Sequence, residues 1–101
     1  MNWEERQKQD QLWRRSSEID SLIDNKVKKK DKTKEDIEEI IDLLKEKAQV
    51  DGEAGTLGAL QRDLEERRRW YKEIGDMENW RELSQENIKK IVSQYKKPKG
   101  S

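Results

Sequence analysis

The chain has 101 residues, of which 46% are charged and only 30% are hydrophobic. An ordinary soluble domain has about 25% charged and about 45–50% apolar residues, so the hydrophobic interior of this chain must be thin. Its 23 basic and 23 acidic residues cancel, which argues against a wholly basic nucleic-acid-binding protein. Because the chain has neither cysteine nor histidine, disulfides, zinc sites and the usual nucleophile–base pairs are excluded.

No catalytic motif stands out, and we expect a non-enzymatic protein without a metal or a cofactor. Carboxylate pairs such as Glu38 and Asp42 lie on a polar helix face, whereas acid–base catalysis needs a buried or cleft-bound group. No apolar run has the length of a membrane span, and the first residues are polar and charged. We therefore expect no membrane association and an intracellular location, cytoplasmic by default, with the nucleus as the alternative.

The first predicted helix covers residues 3–27. Its apolar face consists of Leu12, Ile19, Ile23 and Val27, spaced as one side of a helix requires. Trp3 and Trp13 do not fit that face. These two side chains either cover the end of a bundle or bind a partner.

A basic segment, residues 28–33, interrupts the pattern and is predicted to be a solvated loop. The second predicted helix covers residues 34–50. Thr33 is a suitable N-cap, and Asp36 three residues later completes a variant of the capping box. The inner face of this helix consists of Ile37, Ile40, Ile41, Leu44 and Ala48. Gly52 is predicted to end the helix in a left-handed conformation.

The third predicted helix, residues 56–75, carries apolar residues alternately three and four positions apart. This heptad-like seam consists of Leu57, Leu60, Leu64, Tyr71 and Ile74, with Arg67 in the one position that is not apolar. Arg67 either sets the register of a helix pair or reaches solvent with its stem on Tyr71. Because the connection between the second and third helices is short, we expect them to form an antiparallel hairpin.

A short link that contains Met77, Trp80 and Leu83 is predicted to be helical, and it is followed by a last predicted helix over residues 84–97 and a tail over residues 98–101. Ser84 is the expected N-cap of that helix. No window alternates apolar and polar residues over the length of a strand. The predicted fold is all-α: a single domain over residues 1–101, built as a small antiparallel bundle of three to four helices.

The favoured functional hypothesis is a helical oligomerisation and protein-interaction module, because so few apolar residues leave a lone monomer marginally stable. We expect self-association, with a dimer favoured, and a further protein partner. The predicted self-association seam consists of Leu57, Leu60, Leu64, Arg67, Tyr71, Ile74, Ile37, Ile41 and Leu44. The candidate anchors for a partner are the four tryptophans, Trp3, Trp13, Trp70 and Trp80.

The alternative hypothesis is a small nucleic-acid-binding regulator, which could be viral, whose helical dimer contacts an RNA backbone. Two basic clusters contain few acids and would serve such contacts. Their candidate residues are Lys28, Lys29, Lys30, Lys32, Lys34, Lys89, Lys90, Lys96 and Lys97. A third cluster, Arg67 to Arg69, is flanked by acids and is expected to form ion pairs at the surface.

Overall fold

Five α-helices make up the computed structural model, which describes residues 2–96. They are α1 (Trp3–Val27), α2 (Lys34–Ala54), α3 (Leu57–Glu73), α4 (Met77–Glu82) and α5 (Gln85–Lys96). No strand occurs over residues 2–96, so the all-α prediction is confirmed. The link between the last two predicted helices is a helix of its own, α4, and the predicted tail lies outside the described residues. In the described chain, no helix has both the length and the apolar character of a membrane span.

α1 and α2 pack against each other through a small hydrophobic cluster. Ile19 and Ile23 of α1 meet Ile40 and Leu44 of α2, and all four side chains are buried. Ile40 and Leu44 are four residues apart, and so are Ile19 and Ile23, so each pair lies on one side of its helix. This cluster, the α1–α2 cluster, lies in the second half of α1 and the first half of α2.

The start of α2 is as predicted, but its end is not. The Thr33 hydroxyl accepts from the Asp36 amide and the Asp36 carboxylate accepts from the Thr33 amide, which confirms the capping box. The helix then continues past Gly52 to Ala54, and Gly55 provides the left-handed cap with a φ of 78°. Gly52 serves a different purpose, because a Cβ there would lie 2.5 Å from the Tyr95 ring of α5.

A second and larger cluster forms where α2, α3, α4 and α5 meet. Its buried members are Ile37, Ile41, Ala48, Leu60, Leu64, Tyr71, Leu83 and Ile88. Partly buried side chains pack around it, namely Leu57, Trp70, Ile74, Trp80, Ile91 and Val92. Since α2 contributes to both clusters, it is the central helix, and the core is divided between its two sides.

Most of the predicted self-association seam lies inside this second cluster, here called the α2–α5 cluster, whereas Leu44 belongs to the α1–α2 cluster. Leu60, Leu64 and Tyr71 are between 1% and 5% exposed in the single chain. The sequence-based hypothesis used this seam for a second copy, but Leu83, which follows α4, and Ile88 of α5 pack against it in the single chain. The buried seam residues are therefore not a free surface in the single chain, and self-association through the seam stays a prediction. Whether the chain associates through another surface stays a prediction.

Candidate interaction surfaces and a buried ionic cluster

The first half of α1 is mostly exposed, and only Gln9 and Leu12 are partly buried among residues 3–14. The only buried residues of α1 are Ile19 and Ile23, so residues 3–14, here called the N-terminal arm, contain none. Gln9 donates through Nε2 to the carbonyl oxygen of Ala54 at 2.6 Å, and Ala54 is the last residue of α2. The turn of α1 before Gln9 therefore extends past the end of α2. Two tryptophans lie on this arm, Trp3 with 71% and Trp13 with 53% of its surface exposed.

Trp13 also borders an open groove between α1 and α3. The groove has a volume of about 320 Å³ and is lined by Trp13, Ser16, Ser17, Asp20, Lys47, Asp51, Thr56, Ala59 and Arg62. Its rim is polar except for Trp13 and Ala59. Two of the lining residues, Lys47 and Asp51, come from α2 and belong to an ionic cluster that is almost fully buried.

This ionic cluster joins three helices. Lys47 Nζ donates to Asp51 Oδ2 at 2.8 Å and to Asp63 Oδ1 at 3.0 Å, and so links α2 to α3. Ser16 of α1 donates through Oγ to Asp51 Oδ1 at 2.6 Å. The side chains of Lys47, Asp51 and Asp63 are 11%, 2% and 4% exposed. In a chain with so thin a core, these polar contacts occupy the middle of the α1–α2–α3 interface.

Two buried carboxyl groups share one ammonium, so the cluster would carry a negative charge if all three groups were ionised. Burial of such a charge is costly, and one proton removes it. Burial, together with a hydrogen bond to Asp51, raises the pKa of Asp63 to about 8. Burial also acts to raise the pKa of Asp51, but its hydrogen bonds to Asp63, Lys47 and Ser16 outweigh that effect and lower it.

The raised pKa of Asp63 indicates that this residue holds the proton. Its Oδ2 is buried, and no N–H or O–H group of residues 2–96 donates to it. Because an oxygen that carries a proton is itself a donor, the lack of a donor to Oδ2 is compatible with a proton there. The pKa of Lys47 is lowered by burial but raised more by its two carboxyl partners, so the ammonium stays charged. The cluster is then neutral overall.

The sequence did not predict this cluster. Asp63 and Arg67 are four residues apart on α3, a spacing that favours an ion pair along one helix and gives no sign of the buried contact. A weak pattern was present, since Lys47 follows the inward-facing Leu44 by three residues and Asp63 follows Leu60 by three. Arg67 instead lies partly buried beside Ile91 and Tyr95, and burial lowers its pKa. Its Nε has no hydrogen-bond partner among residues 2–96.

The four predicted tryptophan anchors fall into two classes. Trp3 and Trp13 are exposed on α1, whereas Trp70 and Trp80 are partly buried. Trp70 packs against both hydrophobic clusters. The Arg68 guanidinium lies 4.4 Å from the centroid of the Trp80 ring, and Lys72 Nζ lies 5.8 Å from it. Of the four tryptophans, only the two on α1 have more than half of their surface exposed.

The predicted nucleic-acid contacts are not brought into one surface. Lys30 and Lys32 line a cleft of about 350 Å³ together with Ile37, Arg69, Trp70 and Glu73. Lys28 and Lys34 are exposed but do not line this cleft, and Lys29 forms an ion pair with Asp36 at 3.0 Å. Lys89 and Lys90 are exposed on α5, which packs on α3 and α2. The side chain of Lys96 and the whole of Lys97 lie outside the described residues.

Several ion pairs connect α1 and its following loop to α2. Arg15 Nε donates to Glu46 Oε2 at 2.7 Å, and Lys26 forms an ion pair with Glu39. These pairs are largely exposed, so water and salt screen them and each contributes little to stability. They lie beside the α1–α2 cluster and do not form a ligand site.

In the part of the chain that the structure describes, no group of three or more acidic residues is arranged to hold a metal ion. The candidate sites are the N-terminal arm, the cleft that Lys30 and Lys32 line with Arg69 and Trp70, and the buried ionic cluster. Comparisons of the chain with known protein families, with curated proteins and with solved structures found no match.

Proposed function

We propose that this chain is a non-enzymatic protein-interaction module and that the N-terminal arm of α1 is its contact element. The supporting observation is that this arm carries two exposed tryptophans and no buried residue. Tryptophan is strongly enriched among the residues that dominate binding energy at protein interfaces. It also has one of the largest apolar surfaces of any side chain, so exposing two of them without a contact is unfavourable.

The partner that we propose is a second copy of this chain. The arm carries two acids at its start, Glu4 and Glu5, and the base Arg14 at its end, while Arg6, Lys8 and Asp10 lie between them and bring its net charge to zero. In an antiparallel pair of arms, the acids of one copy lie beside the base of the other, and the pair is two-fold symmetric as most homodimers are. This arrangement replaces the predicted seam, whose residues the chain's own helices cover.

The experiment compares molecular mass by light scattering over a concentration series. The test variant combines Trp3→Ala with Trp13→Ala. The control variant combines Leu22→Ala with Met77→Ala, which removes exposed apolar surface away from the arm. Circular dichroism and thermal denaturation verify that both variants keep the helical fold.

We expect the wild type and the control to be dimers in the micromolar range and the double tryptophan variant to be a monomer. A wild type that stays monomeric over the whole series contradicts self-association through the arm. An equal loss of mass in both variants also contradicts it, because the effect would then not depend on the tryptophans.

A further inference from the structure

We infer that the cleft lined by Lys30, Lys32, Arg69 and Trp70 binds a single-stranded nucleic acid, with the cations on the phosphates and a base on the tryptophan. The cleft is distinct from the N-terminal arm, and nucleic-acid binding there is a second function beyond the protein interaction proposed above. Three elements form it, namely the loop before α2, the first turn of α2 with Ile37, and the last two turns of α3. The fold therefore brings together cations that are about forty residues apart in the sequence.

The positive charge in this cleft is not neutralised by neighbouring acids. The ion pairs of residues 2–96 involve Arg15, Lys26, Lys29 and Lys47, but not Lys30, Lys32 or Arg69. Glu73 is the one acid among the lining residues. The nearby acids Asp36 and Glu39 are already paired with Lys29 and Lys26. Three cations against one acid leave a net positive site, which is what a phosphate backbone requires.

Trp70 provides a fixed aromatic surface at the same place. Its ring packs against both hydrophobic clusters, so its position is set by the core. The part of Trp70 that lines the cleft lies under the ammonium of Lys32, whose Nζ is 6.0 Å from the ring centroid. When Lys32 turns to a phosphate, an unpaired base can stack on the ring. Basic side chains beside a stacking aromatic are the usual means of binding single strands.

The size of the cleft and the chemistry of Trp70 favour a single strand over a duplex. A volume of about 350 Å³ is within the range of small-ligand sites and fits one nucleotide unit. In a duplex the bases are stacked on each other and cannot reach an aromatic side chain, whereas an unpaired base can. The lysines of α5 are not part of this cleft, which separates the inference from a general attraction to positive charge.

The test is fluorescence anisotropy with a short labelled oligouridine at low salt, followed by a salt titration. The cleft variant combines Lys30→Ala, Lys32→Ala and Arg69→Ala. The matched control removes the same charge elsewhere through Lys28→Ala, Lys89→Ala and Lys90→Ala. Thermal denaturation checks that each variant is folded. Trp70→Leu tests stacking, and Arg69→Glu tests the cleft independently of the core.

We expect the cleft variant to bind at least about tenfold more weakly than the wild type, with a smaller salt dependence, while the control stays within about twofold. Trp70→Leu should weaken binding by about fivefold or more, and Arg69→Glu should weaken it without loss of stability. Three results would overturn the inference: no binding by the wild type at low salt, equal losses in the two triple variants, or a duplex of equal length bound as tightly as the single strand.

Discussion

Lys47 Nζ of α2 lies 3.0 Å from Asp63 Oδ1 of α3, and this ion pair is buried in the middle of the hairpin that the two helices form. The same ammonium is 2.8 Å from Asp51 Oδ2, and Asp51 Oδ1 accepts a hydrogen bond from Ser16 of α1. A shift of α3 along α2 would leave a buried charge without its partner, which is costly. The register of the three helices is therefore coupled to the ionic state of this cluster.

Replacing Lys47 with methionine should strongly destabilise the protein. The variant keeps a side chain of similar length but leaves two carboxyl groups buried without a cation. Loss of one partner of a buried pair costs about 3–5 kcal/mol in unfolding free energy. The control is Lys45→Met on the same helix, where the side chain is exposed and a change of about 0.5 kcal/mol or less is expected. Equal effects in urea denaturation would contradict the role of the cluster.

Asp63→Asn should remove a pH dependence of stability that the wild type shows. The pKa of Asp63 is about 8 in the folded chain and 3.8 ordinarily. Between these values the folded chain holds a proton that the unfolded chain has released, so stability falls as the pH rises. The free energy of unfolding decreases by up to about 1.4 kcal/mol per pH unit in this range. The asparagine variant, which is neutral at all pH values, should therefore be the more stable protein at pH 9.

The measurement is urea denaturation of both proteins from pH 5 to pH 9. Asp63 lies in the ionic cluster with Lys47 and Asp51 of α2. The other polar and charged groups around this cluster are Ser16 and Asp20 from α1, and Arg62 and Arg67 from α3. Asp20→Asn is the control, because Asp20 is exposed at the rim of the same groove. If the wild type is equally stable at pH 5 and pH 8, Asp63 does not hold a proton at neutral pH.

Leu64→Ala should reduce stability rather than dimerisation. Leu64 is 2% exposed inside the α2–α5 cluster, and truncation of a buried leucine costs about 2–5 kcal/mol. Leu22→Ala is the matched control, since that leucine is 44% exposed. Thermal denaturation should separate the two variants clearly, while the mass of folded Leu64→Ala by light scattering should equal that of the wild type. A stable variant with a changed mass would restore the seam as an interface.

Gly52→Ala should behave differently in the presence and absence of Tyr95. In a helix interior, alanine is favoured over glycine by about 0.8–1.0 kcal/mol. With Tyr95 present, however, the new Cβ would lie 2.5 Å from the ring, which must turn away and lose its packing. We expect little net gain in the wild-type background and the full gain in a Tyr95→Ala background. A double-mutant cycle by chemical denaturation measures this coupling, and additive effects would show that the ring does not pack there.

Local sequence chemistry predicted the helices well. The spacing of apolar residues located α1, α2, α3 and α5, and the Thr33–Asp36 capping box fixed the start of α2. The predicted end of α2 was wrong by four residues. The reason is that a chain can require a glycine either for its backbone conformation or for the space that it leaves. Gly55 has the positive φ that ends a helix, whereas Gly52 makes room for a side chain from a distant helix. A sequence shows the glycine but not the ring that packs on it.

The sequence by itself determined that the chain folds into α-helices, which apolar residues of α2 face inward and where its basic clusters lie, because these properties depend on neighbours within a few turns. Only the tertiary structure decided what covers each face. It placed α4 and α5 over the seam of α3, left the N-terminal arm uncovered and brought Lys47, Asp51 and Asp63 together in the interior. Such contacts depend on the packing of whole helices, and a charged residue on the border of an apolar stripe can face either water or a buried partner.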